Sequence, residues 1–569
     1  MPKLRLVSRS ALLALSLLSA CAARGVAVAD APEAGTAYGA FLDARFADSQ
    51  FALMQAAHYY RNASAADPSD LVLRRQAFLA SFMAGEPDAL SLAAAVPDNP
   101  VAMLALIGQA VRERAWSTAI TRIQSLPREG LTQILSPLLL AWAEQGAGRT
   151  DAALAALQPF LSGPGARGID ILHAALIADL AGRTAIADQY YALAQQGFTG
   201  PNLQVARILA SWEARQGQIA KARDTLASLG AGGSDLAIAV PGLERVMARR
   251  PVADAADGMA EAYLAIAASL RQENSPDFSV IMLRLTLALR PDLTAARLLL
   301  ADVLDAQGQP AAALSVLDAV QTSDPLIAFV DLRRAMLLDA VGKTSDALSL
   351  LDRLAEEHPD RPEPLGVKAD ILREHERWAQ AVAAYTGAIA RLGPPQPSGW
   401  TLYYDRGIAY DQMHDWPKAE ADFQHALRLE PNQPYVLNYL GYSWAVQGRH
   451  LTEAKQMIAK AAELRPNDGA ILDSLGYVML RQGDVPGALR WLLRAVTLEP
   501  DDATINGHLG DAYWAAGDRL EAWYQWQHAL TMHPSASEAA RLQARLSGKY
   551  VPLGSAPTPA AATVGSRNP

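Results

Sequence analysis

Identical residue types recur every 34 or 35 residues through the C-terminal part of this 569-residue sequence. A glycine inside a helix costs about 1 kcal/mol relative to alanine, so a recurring glycine indicates a close helix contact. Prolines end helices because they lack the backbone N–H. The pattern therefore predicts stacked helical hairpins, each closed by proline. The recurring positions are Gly407, Gly441, Gly476 and Gly510; Ala419, Ala454, Ala488 and Ala522; Ala426, Ala461, Ala495 and Ala529; and Pro431, Pro466, Pro500 and Pro534.

The same frame persists more weakly upstream. It is clear again near the N-terminus, where Ala56, Tyr60, Ala63 and Pro68 occupy the helix-contact and closing positions. The full period predicts an all-α solenoid of about fourteen helical hairpins between residues 39 and 534. Between these two regions the alanines that keep the 34- or 35-residue spacing are Ala119, Ala153, Ala187 and Ala222, followed by Ala313, Ala347 and Ala381.

Two segments interrupt the frame. Between Ala222 and Ser279 the spacing is 57 residues, and this stretch begins with glycines from Gly230 to Gly233. A second, shorter excess lies in the proline-rich segment 393–399. The first interruption either separates two solenoid lobes or is an irregular repeat within one continuous superhelix.

The N-terminus has the features of an export signal. Lys3, Arg5 and Arg9 precede a short apolar run that is too short to span a bilayer. The segment from Leu18 to Cys21 resembles a bacterial lipobox, which implies that Cys21, the single cysteine of the chain, carries lipid. The alternative is an ordinary secretory signal with an incidental cysteine. Ala22, rather than Asp, follows Cys21 and favours the periplasmic face of the outer membrane.

These observations predict the following order along the chain. Residues 1–20 form a lipoprotein signal peptide, 21–36 a flexible tether, 37–229 an N-terminal solenoid, 230–256 an irregular connector, 257–392 central repeats, 393–399 a proline-rich loop, 400–534 C-terminal repeats, 535–549 a capping helix and 550–569 a disordered tail.

Composition and motifs favour a non-enzymatic protein. The formal net charge of −9 opposes nucleic-acid binding, because phosphates require a basic surface. The ten histidines form no HExxH pair, and the glycines at 230–233 lack the lysine of a phosphate loop. We expect no catalytic residue, no metal site and no cofactor.

The repeat pattern resembles the tetratricopeptide repeat. That resemblance implies a right-handed superhelix in which the first helix of each hairpin lines a concave groove. Aromatic and polar residues at first-helix positions suit peptide binding, because Tyr, Trp and Arg are common anchors; packing between hairpins is the alternative. The predicted groove residues are Tyr404, Tyr435, Asn438, Tyr442, Asp473, Tyr477, Arg481, Asp511 and Trp514.

A lipobox followed by many hairpins resembles the tetratricopeptide lipoproteins of Gram-negative envelopes. The strings from Asn438 to Tyr442 and from Asp473 to Tyr477 are similar to one group of them, which includes an adaptor for a periplasmic carboxyl-terminal processing protease. The resemblance implies a protein-binding scaffold whose partners include such a protease and its substrates. An accessory lipoprotein of an export or outer-membrane assembly system, and an enzyme with an unrecognised site, are the alternatives.

Overall fold

A computed structural model of the chain describes residues 36–162, 167–197 and 202–548. The predicted lipid site at Cys21, the signal and most of the tether and tail lie outside these residues. The described part is built of α-helices joined by short turns. In chain order the helices are α1 (Ala37–Ser49), α2 (Leu53–Ala66), α3 (Leu71–Ala84), α4 (Ala89–Ala94), α5 (Pro100–Arg112), α6 (Trp116–Gln124), α7 (Gly130–Gly146), α8 (Thr150–Leu157), α9 (Gly168–Leu180), α10 (Thr184–Gly197), α11 (Leu203–Arg215), α12 (Ile219–Ala227), α13 (Val240–Val246), α14 (Ala255–Gln272), α15 (Pro276–Leu289), α16 (Thr294–Ala306), α17 (Pro310–Asp318), α18 (Ile327–Ala340), α19 (Thr344–Glu357), α20 (Glu363–Glu374), α21 (Trp378–Ala390), α22 (Trp400–Gln412), α23 (Trp416–Leu429), α24 (Pro434–Gln447), α25 (Leu451–Leu464), α26 (Gly469–Arg481), α27 (Val485–Leu498), α28 (Ala503–Ala516), α29 (Arg519–Leu530) and α30 (Ala536–Leu546).

Consecutive helices pair as hairpins. Thirty helices less α13 and α30 leave twenty-eight, which form fourteen pairs among the described residues. The all-α, helical-hairpin fold predicted from the 34-residue period is therefore confirmed. None of the helices described is long and apolar enough to cross a membrane.

The repeating glycines lie where a bulky residue of the second helix meets the first helix. A Cβ atom at Gly407 would lie 2.7 Å from the ring of Phe423, and one at Gly476 would lie 2.6 Å from Leu492 Cγ. At Gly510 the obstructing ring is that of Trp526, at 2.4 Å. These glycines are thus required by close packing, as the period predicts.

The recurring alanines are buried in the same contacts. Ala419, Ala426, Ala454 and Ala461 have no exposed surface, and the equivalent positions in the later hairpins are the same. The turns between the helices of a hairpin contain residues with positive φ. After α22 this residue is His414, and after α24 both Gly448 and His450 adopt such a conformation.

The described chain divides into two compact units at His358 and Pro359. We call residues 36–358 the N-terminal unit and residues 359–548 the C-terminal unit. The glycine-rich interruption lies inside the N-terminal unit. It forms two short 3-10 segments, Ser228–Gly233 and Asp235–Ala239, followed by α13.

Within the N-terminal unit the hairpin α14–α15 packs across the first helices of four preceding hairpins. Helix α14 contacts α7 and α9, while α15 contacts α3 and α5. A Cβ atom at Gly258 would lie 2.3 Å from the ring of Trp142, so this glycine allows α14 to approach α7 closely. The faces of α3, α5, α7 and α9 are consequently covered by the chain's own residues.

Two long-range hydrogen-bond contacts hold this arrangement. The buried guanidinium of Arg284 on α15 donates from Nε to the carbonyl oxygen of Met83 and from Nη2 to that of Ala84, both at 2.8 Å. It therefore satisfies carbonyl groups at the end of α3, which have no partner within that helix. Gln309, before α17, donates to the carbonyl oxygen of Gln50 at 2.9 Å.

A buried carboxylate on α14 also holds this helix against its neighbours. Glu261 has no exposed surface and pairs with Arg207 of α11 and, at 3.2 Å, with Arg290 after α15. Gln204 adds a hydrogen bond at 2.7 Å. Burial by itself raises the pKa of Glu261, but the two guanidinium groups hold it below its usual range.

Candidate functional site

The candidate site is the face that α22, α24, α26 and α28 present in the C-terminal unit, which we call the C-terminal wall. Its nine predicted residues fall into two groups. Four are buried: Tyr404, Asp473, Tyr477 and Asp511. The other five are half-buried and have part of their surface accessible: Tyr435, Asn438, Tyr442, Arg481 and Trp514.

Buried Tyr404 and Asp511 contact their own hairpins and the helix that follows each hairpin. Tyr404 packs with Ile408 and Phe423 in the core formed with α23. Asp511 accepts a hydrogen bond from Trp526 Nε1 at 3.0 Å and pairs with Arg545 of α30. Burial raises the pKa of the Asp511 carboxyl, and Arg545 opposes that shift. For these two residues the packing alternative describes the structure.

Aromatic rings connect three successive first helices. The ring centroid of Tyr442 on α24 lies 5.2 Å from that of Tyr477 on α26, which lies 4.6 Å from that of His508 on α28. His508 Nδ1 lies 2.9 Å from Oδ1 of Asp473. Sequence reasoning placed Tyr442, Asp473 and Tyr477 on the wall but missed His508. The residue before it, Gly507, is the one that corresponds to Asn438 and Asp473 in the repeat.

Asn438 lies at the centre of the wall and has an unsatisfied polar atom. Its Oδ1 is buried and has no hydrogen-bond partner in the described chain. Tyr435 and Tyr442, one turn to either side on α24, are half-buried, and the Arg465 guanidinium lies 5.4 Å from the Tyr435 ring centroid. An unpaired buried acceptor costs about 1–3 kcal/mol, so a donor from a ligand would relieve this cost.

Arg481 and Trp514 border the wall. Arg481 Nη1 donates to the carbonyl oxygen of Val446 at 3.1 Å and to the Tyr477 hydroxyl at 3.2 Å. The Arg519 guanidinium lies 3.7 Å from the ring centroid of Trp514. These contacts hold both side chains in one orientation, which lowers the entropy lost when a partner binds.

A second charged group, missed from the sequence, lies beside Tyr404. Asp405 of α22 is half-buried near Asp370 and Arg373 of α20. Burial raises the pKa of the Asp405 carboxyl to about 7, the Asp370 charge adds to the shift, and Arg373 opposes it. Asp370 and Asp405 lie 35 residues apart, close to the repeat length, and this spacing is the only sequence signal that could have identified the pair.

No cluster of metal-ligating side chains accompanies these residues in the part of the chain that the structure describes. There, no group of three or more His, Asp or Glu side chains is placed to hold a metal ion. The wall offers aromatic surface, one unpaired amide oxygen and oriented charged groups. Such an arrangement can bind a peptide through side-chain burial and backbone hydrogen bonds.

Family models described as Tetratricopeptide repeat match this chain in three segments. One matches residues 400–433, and another matches residues 332–397 and 449–503. Two of the four wall helices, α22 and α26, fall inside these segments, whereas α24 lies outside them and α28 begins at the last matched residue.

Two relatives of known sequence each match a limited part of this chain. The chain is 31% identical over 145 residues to TPR repeat-containing protein PA4667 of Pseudomonas aeruginosa, which covers 26% of this chain and 24% of the relative. It is 36% identical over 118 residues to human Tetratricopeptide repeat protein 13, covering 21% of this chain and 13% of the relative. The chain thus spans a quarter or less of the length of these relatives.

Similar solved structures have low TM-scores. The Cut9–Hcn1 structure covers 90% of this chain and 96% of the matched chain, at 15% identity and a TM-score of 0.38. A tetratricopeptide repeat protein from Parabacteroides merdae covers 42% of this chain and 94% of its own, at 17% identity and a TM-score of 0.35. Tetratricopeptide repeats are therefore assigned to residues 332–397, 400–433 and 449–503, where the family models match helical hairpins of the structure.

Proposed function

We propose that this chain is a non-catalytic scaffold of the cell envelope, tethered by lipid on Cys21, which holds a protein partner on the C-terminal wall. Tetratricopeptide-repeat proteins typically act as protein-binding scaffolds, and solenoids present extended surfaces for this purpose. The finer part of the proposal is that the partners are a periplasmic carboxyl-terminal processing protease and its substrates. The similarity of the strings at residues 438–442 and 473–477 to the adaptor lipoproteins supports that part.

The observation that carries the proposal is the unpaired Oδ1 of Asn438 between two accessible tyrosines. In the free protein this unpaired atom is a cost. Rotation of the half-buried Asn438 side chain would turn its amide towards a bound peptide, whose backbone N–H would then satisfy the oxygen. Tyr435 and Tyr442 would then bury aromatic surface against the peptide side chains. In the N-terminal unit the first helices α3, α5, α7 and α9 are covered by α14 and α15, which favours the C-terminal wall as the binding surface.

The first test separates binding from stability at Asn438. Replacing Asn438 with leucine removes the unsatisfied oxygen, so the free protein should keep or gain stability. The same variant should bind the partner about fivefold to tenfold more weakly, because one hydrogen bond is lost. Gln456→Leu on the exposed side of α25 is the matched control and should leave affinity unchanged.

Photo-crosslinking in envelope membranes identifies the partner. A photoreactive amino acid at Tyr435 should crosslink to a protein, and the same group at Gln456 should not. Equal crosslinking at the two positions would contradict binding at the wall. If the crosslinked protein belongs to an export or assembly system instead of being a protease, the scaffold role stands and the protease-adaptor role is wrong.

A further inference from the structure

One face of the first helix carries large apolar side chains that no described part of the chain covers. Tyr38, Leu42 and Phe46 follow one another at intervals of four residues on α1, and they are 71%, 49% and 71% exposed. Because a helix turns once in about 3.6 residues, this spacing places them in one stripe. Tyr38 and Phe46 are the most exposed large apolar residues in the part of the chain that the structure describes. We call these three residues the α1 stripe.

The other side of α1 holds the helix in the fold. Ala44 and Ala47 are buried, and the ring centroid of Phe41 lies 6.0 Å from that of Tyr60 on α2. The helix is therefore fixed against α2 by one side, and the α1 stripe lies on the side that is left free.

The stripe is free because of its place in the repeat. In the 34-residue frame Leu42 corresponds to Tyr439 on α24 and to His508 on α28. The side chains of these two residues contact the first helix of the preceding hairpin: the Tyr439 hydroxyl donates to Asp411 at 2.9 Å, and His508 lies 2.9 Å from Asp473. Among the described residues no hairpin precedes α1, so the same positions have no neighbour there.

The last helix of the solenoid shows how a terminal surface is usually finished. On α30 only Leu542 is buried, and the exposed side chains include Arg541, Gln543 and Ser547 but no large apolar one. Such a polar outer face keeps a terminal repeat soluble. The apolar α1 stripe, continued by exposed Met54 at the start of α2, departs from this rule. A grouped apolar surface of this kind indicates an interaction site.

The predicted lipid site lies close to α1 along the chain and indicates what covers the stripe. Fifteen residues separate Cys21 from Thr36. Even a fully extended chain of this length spans only about 50 Å, and a flexible one has a root-mean-square end-to-end distance of about 20 Å. A lipid on Cys21 would therefore hold α1 beside the bilayer at a high effective concentration, so a contact that is weak by itself would form.

The side chains of this face suit the lipid headgroup region. Tyrosine, phenylalanine and leucine are typical of helices that lie in the interface plane, with the apolar face about 5–10 Å deep. Arg45 follows Leu42 by three residues and is exposed, so its guanidinium is available to a lipid phosphate. Its ion pair with Asp48, at 3.7 Å, is exposed and therefore weak. Asp43 lies about 100° round the helix from Leu42, at the edge of this face.

We propose that the α1 stripe lies on the bilayer that holds the lipid of Cys21, with Tyr38, Leu42 and Phe46 at the level of the headgroups. This inference rests on the lipid anchor of the proposed function and adds a second, peripheral contact to it. The first hairpin is then oriented on the membrane surface instead of being held only by a chain at a distance from it. The partner of this surface is lipid, and neither a second copy nor the chain's own residues.

A fluorescent label next to the stripe tests the contact. Ser49 is exposed and lies three residues after Phe46, so Ser49→Cys places a thiol-linked fluorophore there and keeps the stripe intact. Ser349→Cys on α19, also exposed, is the matched control. The full-length protein is reconstituted through its lipid in vesicles of phosphatidylethanolamine and phosphatidylglycerol. Nitroxide-labelled acyl chains should quench the label at residue 49, and aqueous iodide should quench it about threefold less than the label at residue 349.

The outcomes separate this contact from the anchor. The unsubstituted protein should float with the vesicles and take up no fluorophore, because the Cys21 thiol is acylated. A protein that stays out of the vesicles contradicts the anchor, and the membrane contact is then wrong as well. A protein that floats with residue 49 open to iodide contradicts the contact alone. Protection from iodide without quenching by nitroxide lipid would show that protein covers α1, which also overturns the proposal.

Substitutions in the stripe identify the residues that make the contact. Leu42→Ser combined with Phe46→Ser should expose residue 49 to iodide while the protein still floats, and its helical signal should match the parent's because both side chains are exposed. Leu520→Ser combined with Tyr524→Ser on α29 is the control, since these residues have the same spacing and are 62% and 60% exposed. If the α1 pair leaves the label in contact with lipid, or if the α29 pair exposes it equally, the proposal is wrong.

Discussion

Nε1 of Trp142 on α7 donates a hydrogen bond to Nδ1 of His173 on α9 at 3.0 Å, beneath the covering helix α14. Both side chains are fully buried. Because Nδ1 accepts, Nε2 must hold the proton of the neutral imidazole. Burial lowers the pKa of His173 to about 4, although the charge of Glu261 acts in the opposite direction. The neutral ring is thus part of the packing between α7, α9 and α14.

This contact predicts a loss of stability in mild acid. The unfolded chain binds the proton near pH 6.5 and the folded chain only near pH 4, so protons favour unfolding between these values. Between pH 7 and pH 4 the protein loses about 3 kcal/mol of the free energy of unfolding through this one histidine. Urea unfolding of the parent and of His173→Gln, which keeps an acceptor for Trp142, measures it. An unchanged pH dependence in the variant would contradict the assignment.

The buried carboxylate of Glu261 should be essential to the N-terminal unit. Glu261→Gln leaves Arg207 and Arg290 without their counter-charge, and breaking a buried pair costs about 3–5 kcal/mol. Hydrogen exchange should increase first in α14 and α15. Asp151→Asn removes an exposed partner of Arg183 and is the control, with no measurable change expected. Equal effects of the two substitutions would show that burial of the pair is unimportant.

The repeating glycine of the third C-terminal hairpin should not tolerate a methyl group. In Gly476→Ala the new Cβ would lie 2.6 Å from Leu492 Cγ and 3.2 Å from the carbonyl oxygen of Ala488, and overpacking costs about 1–3 kcal/mol. At Gly366 a Cβ meets only Leu402 Cδ2 at 3.5 Å. Gly366→Ala should therefore be neutral or stabilising by up to about 1 kcal/mol, through helix propensity. Chemical denaturation of both variants checks the difference, which would vanish if Leu492 did not limit the space at Gly476.

The lipid anchor is predicted to depend on Cys21. In cells fed labelled fatty acid, the parent protein should take up label, and Cys21→Ala should be unlabelled. The variant should be released into the periplasm or remain as an uncleaved precursor, because the acceptor thiol is absent. Equal labelling of the two proteins would exclude Cys21 as the attachment site.

The choice of substitutions that test the C-terminal wall depends on contacts that the period does not reveal. Glu420 on α23 occupies a second-helix position, yet its Oε1 accepts from Trp444 Nε1 at 2.7 Å. A charge reversal there would disturb two hairpins. For the same reason Tyr477→Ala is a poor probe of binding, since Tyr477 is buried against Tyr442 and His508. Asn438 and Tyr435 test the wall with less effect on packing.

The helical hairpins and their contacts could be derived from the amino-acid order alone. The relation of Gly407 to Phe423, or of Gly476 to Leu492, is local, with both residues in one hairpin, so a 34-residue repetition of small and bulky residues contains it. The glycine-rich interruption was likewise visible in the order of residues. Nothing in the order indicated whether it separates lobes, and the compact units instead divide at His358 and Pro359.

Contacts between distant segments required the tertiary structure. Arg284 contacts Met83 and Gln309 contacts Gln50 across some 200 residues or more, and no spacing rule relates these positions. The same first-helix positions can face a ligand, a neighbouring hairpin or the hairpin α14–α15, and the repeat is identical in each case. Tyr404 and Asp511 are buried and Tyr435 is only half-buried because of the helices that stack beside them, since side-chain burial depends on neighbours in space and not on position in the repeat.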